Sequence, residues 1–218
     1  VLLRTLPVSE PGRLVNVLAQ GPNPGSQTCN AAGPCSVVFS YPMFRDLERG
    51  QTMLSGLAAH RIIGADMAFR GRSSSGEGVG VSGQYFGVLG LAPALGRLLG
   101  PDDDRQVGGE PVAVLSHRFW TTELGADRSI LNQTILVNGA TMTIVGVAPP
   151  GFDGTTLGTR ARVFVPITML AQLGWGEEPF QRRTRYWVYL FGRLRPGVSS
   201  AEALDQLNAV YRPIINEV

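Results

Sequence analysis

Cys29 and Cys35 lie six residues apart in GSQTCNAAGPCS. Thiols that close can meet across a turn. A disulfide there implies an oxidising compartment, and two free thiols are the alternative. A metal would need two further ligands, and the only histidines, His60 and His117, are remote in sequence. The glycines at 78, 80 and 83 spell G-x-G-x-x-G. A dinucleotide site needs an apolar strand just before this motif and a helix just after it. Here RGRSSSGE precedes, and Gly87, Gly90 and Pro93 follow, so the motif is not read as a nucleotide loop.

Three further groupings have chemical potential. Asp102, Asp103 and Asp104 are consecutive, but neighbouring carboxylates diverge, whereas calcium wants six to eight oxygens at spaced positions. A solvated turn is expected. Ser116 and His117 are neighbours, and neighbours on a helix do not face each other as nucleophile and base must. Ser116 reads instead as a helix cap. Arg182, Arg183 and Arg185 form a basic cluster after Pro179, suited to phosphate headgroups or an acidic partner, or simply to a solvated loop. Neither G-x-S-x-G nor H-E-x-x-H occurs. No catalytic, cofactor or metal residue is assigned, and no cofactor is expected.

The composition sets the frame for these residues. The chain has 218 residues, enough to bury a core, with 44% hydrophobic and 17% charged residues. Nineteen basic residues, all arginine, stand against seventeen acidic ones. That balance does not predict nucleic-acid binding. No segment reaches the run of about 20 apolar residues that spans a bilayer, and residues 1–6 are too short for a signal peptide. The ends, VLLRTLPV and PIINEV, read as cuts through a longer chain.

The positioning elements follow from periodicity and punctuation. Residues 13–20 alternate as a strand. Residues 41–49 read as a helix capped by Ser40, with Pro42 in its first turn and Gly50 as its stop. Two strands, 54–63 and 65–70, are expected to meet near Gly64. GRSSSGEG reads as a turn-rich break before a short strand at 79–81. Val112 begins a strand to 115, followed by a helix at 117–124. Asn138-Gly139 between apolar runs signals a hairpin. A strand at 162–166 and a short helix at 167–173 precede a polar loop at 177–185. A strand follows at 186–194, then a helix from 201 to about 211, opened by the capping box Ser199-x-x-Glu202. Phe119 and Trp120, and Tyr186, Trp187 and Tyr189, are assigned to the core rather than to ligand stacking. The fold class is α+β. An outer βαβ-type part is built from both chain ends, and a mostly-β part is inserted between them.

Several blocks occur in order: SYPMFRDLERGQTMLSGLAAHR, VSGQYFGVLGLAPALGRLL, PVAVLSHRFW, ILVNGATMTIVGVAPPGFDGT, RVFVPITML and FGRLRPGVSSAEALDQL. Together they resemble the MacB-like periplasmic core domain of ABC transporter permeases, of the FtsX/MacB type and similar to the large acidobacterial permease group. The resemblance covers about residues 40–207. It implies a porter-like part at 1–78 and 185–218 and an inserted sabre-like part at 79–184. It also implies a periplasmic, non-catalytic domain of an inner-membrane protein that couples cytoplasmic ATP hydrolysis to efflux or mechanical work. The partners it implies are a dimer mate within the full permease, a cytoplasmic ATPase domain or subunit, and a periplasmic adaptor protein, with no nucleic acid. The alternatives are a free-standing secreted ligand-binding module or hydrolase, and a cytoplasmic nucleotide-binding enzyme resting on the glycine motif alone.

Overall fold

Strand propensity and turn chemistry carry most of this fold. The computed structural model describes residues 7–19 and 24–216. In chain order the elements are β1 (Leu14–Val17), β2 (Ser26–Gln27), β3 (Phe39–Ser40), α1 (Tyr41–Gly50), β4 (Leu54–Phe69), β5 (Arg72–Val81), α2 (Tyr85–Leu89) and β6 (Leu95–Gly96). Then come β7 (Val112–Leu115), α3 (His117–Glu123), β8 (Thr134–Val137), β9 (Ala140–Val147), β10 (Ala161–Pro166), α4 (Glu178–Gln181), β11 (Arg185–Leu194) and α5 (Ser200–Asn216). The expected first strand ends at Val17, and Gln20 lies outside the described residues.

Local signals place the helix starts. The Ser40 hydroxyl accepts the Met43 amide at 3.4 Å, and the Ser116 hydroxyl accepts that of Phe119 at 3.2 Å. Each satisfies one amide that the first helical turn leaves without a partner. Glu202 accepts the Ser199 amide at 2.8 Å, closing the capping box at the start of α5. Asn138 and Gly139 both take positive φ, at 47° and 83°. Such a turn matches the right-handed twist of the β8–β9 hairpin it joins.

The strand order is β1-β11-β4-β5-β10-β7-β9-β6, with β2 and β3 also on β11 and β8 bonded to both β9 and β4. β1 and β4 run parallel to each other with β11 antiparallel between them. The N-terminal strand–helix–strand unit is therefore completed by a strand from the other end of the chain. The contact of β8 with β4 at Met67↔Val137 closes β4, β5, β10, β7, β9 and β8 into a ring. Ile63, Ala65, Val137, Ile144, Val163 and Val165 are buried in one cluster of that ring.

Three expectations need correction. The strands at 54–63 and 65–70 are one, because Gly64 stays in register opposite Glu77. Nothing lies within 4 Å of where a Gly64 side chain would project, so no close approach requires glycine there. The stretch read as a break, GRSSSGEG, is largely β5, since pairing with β4 along its whole length overrides weak strand propensity. The loop at 177–185 contains α4, whose Pro179 and Phe180 are buried. Phe180 packs edge-on against Trp187 and Tyr41, so tertiary contact, not polarity, sets its conformation.

Candidate functional site

β4 serves two partners. Its first half pairs with β11, and the last pair is His60↔Tyr189. Beyond it β4 keeps β5 on its opposite edge, from His60↔Val81 to Phe69↔Arg72, while the edge that β11 leaves is taken up again only by β8, at Met67 and Ala68. The sheet therefore forks at His60, and the segment joining β2 to β3 fills the gap. β2 lies parallel to β11 at Ser26↔Arg185 and Gln27↔Tyr186. Cys29 and Cys35 are bonded in this structure, with Cα atoms 4.8 Å apart. Between them Asn30 and Gly33 form a turn in which the Asn30 side chain accepts the Ala32 amide at 2.9 Å.

Three side chains fasten this loop to the fork. The Tyr189 hydroxyl donates to the Gly33 carbonyl at 2.7 Å and accepts the Asn30 amide at 3.0 Å. The Asn30 amide group donates to the Ile62 carbonyl at 2.8 Å. Arg61, only 4% exposed, donates to the carbonyls of Thr28 at 2.7 Å, Trp187 at 3.1 Å and Cys29 at 3.4 Å. Its guanidinium lies 5.4 Å from the ring centre of Trp175 and has no carboxylate partner among the described residues. Burial lowers its pKa. Five donors spread over a planar fork let arginine reach carbonyls that lie apart, whereas a lysine offers its three donors from a single nitrogen.

His60 lies on β4 next to Arg61 and sits among the rings of Tyr85, Tyr189 and Phe191 at 5.8–6.1 Å. Burial, with the Arg61 charge adding to it, pushes its pKa down to about 4. The imidazole is therefore neutral at ordinary pH. Residue types at 60 and 61 do not reveal this role; only the fork brings them to the loop.

The structure also places the other groups singled out from sequence. Arg182 and Arg185 face Glu178, at 3.0 and 3.6 Å, and Arg183 faces Asp46 at 2.8 Å. Asp103 and Asp104 are buried rather than solvated. Asp103 accepts two bonds from Arg97, at 2.6 and 2.8 Å, and the Gly100 amide at 2.8 Å. Asp104 accepts the Gly83 amide at 3.1 Å, and burial raises its pKa to about 6. The solvated-turn expectation holds for Asp102, which is exposed and pairs with Arg105, and fails for Asp103 and Asp104, whose carboxylates hold backbone together. Gly78 packs in the ring, where a Cβ would come 3.1–3.3 Å from Val163, Ala65 and Ile63. A Cβ at Gly83 would come 2.5 Å from the Pro101 backbone. The glycine motif is thus spent on close packing. Phe119, Trp120, Tyr186, Trp187 and Tyr189 are all buried.

A family model for the MacB-like periplasmic core domain matches residues 4–210. The chain belongs to that family. The MacB-like domain is similar in fold to the periplasmic region of MacB from Actinobacillus actinomycetemcomitans, with a TM-score of 0.68 and 16% identity over 94% of this chain and 85% of that one. It is also similar to the extracellular domain of the noncanonic ABC-type transporter YknZ from Gram-positive bacteria. There the TM-score is 0.63 and the identity 15%, over 94% of both chains. No curated protein sequence matches the chain. No helix among the described residues of this MacB-like domain is long and apolar enough to cross a membrane.

Proposed function

We propose that this MacB-like domain is non-catalytic and transmits motion, driven by cytoplasmic ATP hydrolysis, across the membrane to efflux or mechanical work. The observation that carries this reading is β4. One strand of sixteen residues bonds to β11 at one end and to the β5 side of the ring at the other. A continuous hydrogen-bonded strand passes displacement with little loss, because breaking register exposes its buried face. In this reading residues 1–78 and 185–218 form the porter-like part and 79–184 the sabre-like part. The working unit then includes a dimer mate, a cytoplasmic ATPase domain or subunit and a periplasmic adaptor.

The test is double electron–electron resonance on the full permease with its ATPase. Spin labels replace Leu204 on α5 and Leu136 on β8, both exposed. The Leu204–Leu204 distance between two copies is expected to change on ATP binding, while the Leu204–Leu136 distance within one copy stays fixed. A between-copy distance that ignores nucleotide rejects the reading.

A further inference from the structure

Three aromatic or imidazole side chains meet above the fork, and two of them are satisfied within the protein. The Tyr189 hydroxyl is bonded to Gly33 and Asn30, and the Tyr85 hydroxyl lies 3.2 Å from the Thr155 hydroxyl. His60 is 8% exposed, and its ring nitrogens make no hydrogen bond to another described residue; they are not among the side-chain atoms sealed away without a partner, so they open onto the cavity beside them. A ligand that displaces water from such nitrogens must supply the hydrogen bond it removes.

His60 lines a cavity of about 460 Å³. That size falls among known small-molecule sites. Its remaining polar lining is Asn16 on β1 and Thr155 and Thr156 in the segment between β9 and β10. Its apolar lining includes Leu14, Leu89, Leu157 and Phe191. Leu157 stands at the rim 92% exposed, an apolar side chain with almost no cover. No charged side chain lines the cavity. Arg61, one residue along the strand, is committed to three carbonyls. Successive strand side chains point to opposite faces, so it is turned away from His60.

We propose that this cavity binds an uncharged amphipathic small molecule whose hydroxyl or amide group pairs with the His60 imidazole while its apolar part covers Leu14 and Leu157. A neutral imidazole offers one donor and one acceptor, so a hydroxyl satisfies it in either direction. A charged headgroup would meet no counter-charge and would lose its hydration. This site is separate from the transmission reading, which stands whether or not the cavity binds.

With only two histidines, the imidazole ¹⁵N resonances give a site-resolved readout. The ¹⁵N-histidine-labelled chain is titrated with n-octyl-β-D-glucopyranoside below its micelle concentration, and separately with sodium octyl sulfate. The glucoside is expected to shift the His60 resonances saturably and leave those of His117 in place. Octyl sulfate is expected to bind at least about tenfold more weakly. His60→Phe keeps ring volume and removes the polar pairing, and should weaken the glucoside about tenfold. Leu157→Glu, at an exposed position where folding is not at stake, should charge the mouth and abolish saturable binding, read by competition at His60. The proposal is overturned by no saturable shift at His60, by equal shifts at His117, by equal affinity for octyl sulfate, or by unchanged binding in Leu157→Glu.

Discussion

The phenolic oxygen of Tyr189 lies 2.7 Å from the Gly33 carbonyl oxygen and 3.0 Å from the Asn30 amide nitrogen. One side chain from the last residue pair of β4 and β11 thus closes the loop that fills the fork. Adding a Cβ at Gly33 would bring it 3.0 Å from the Tyr189 ring, so the approach leaves little spare room.

Tyr189→Phe removes both of these bonds and leaves the Asn30 amide and the Gly33 carbonyl without their partner. The expected loss is about 1–3 kcal/mol of unfolding free energy. Amide exchange across residues 28–33 should also rise more than in β4. Urea melts and native-state hydrogen exchange check both.

Arg61 holds three carbonyls without a counter-ion. Arg61→Lys keeps the charge but cannot reach all three, so it should destabilise despite its similarity. Arg61→Met fills comparable space without charge but orphans the Thr28 and Trp187 carbonyls, at about 1–3 kcal/mol for a buried acceptor. If Met proves as stable as wild type, the carbonyl clamp is not what retains arginine there. Thermal denaturation of the three proteins decides this.

The Cys29–Cys35 bond closes a short ring. By loop-closure entropy its removal should cost about 2 kcal/mol. Periplasmically exported chain should gain the mass of two hydrogens on reduction and then take up two alkyl groups. Alkylation without prior reduction would show free thiols and remove this element of the site.

His60 and Asp104 set opposing pH dependences. The folded pKa of His60 is depressed to about 4 from 6.5, so its contribution is complete above pH 6.5 and is lost as pH falls towards 4. That of Asp104 is raised to about 6 from 3.8, so its contribution is complete below pH 3.8 and is lost as pH rises through 6. Each swing is about 3 kcal/mol. The two largely cancel between pH 4 and 6.5. His60→Phe should therefore make stability fall with rising pH across that window, and Asp104→Asn should make it rise. Urea midpoints at pH 4.5 and 6.5 test the signs.

Gly83→Ala should destabilise strongly, because the new Cβ would sit 2.5 Å from the Pro101 Cα and 2.7 Å from the Gly100 oxygen, both backbone. Gly64→Ala meets open space. It should be neutral or slightly stabilising, since alanine restricts the unfolded chain. The paired melting temperatures separate packing glycines from tolerant ones.

Some features are local, and adjacent residues set them. Ser40, Ser116 and Ser199 cap helices because a side-chain oxygen within three residues of a free amide finds it in any fold. Asn138-Gly139 makes its turn because those residues tolerate positive φ. The α+β class and the family blocks were readable for the same reason: each rests on neighbours a few residues apart. The tertiary structure alone decided the rest. β5 is a strand because β4 pairs with it, although its Gly and Ser residues favour neither state. Asp103 and Asp104 are buried because Arg97 and the Gly83 and Gly100 amides come to meet them. His60, Arg61 and Tyr189 form a site because β11, whose Trp187 lies 126 residues further along the chain than Arg61, is brought to the fork. Hydrogen-bond and desolvation energies depend on which atoms are within about 3 Å. Over such sequence separations only the folded chain fixes that distance.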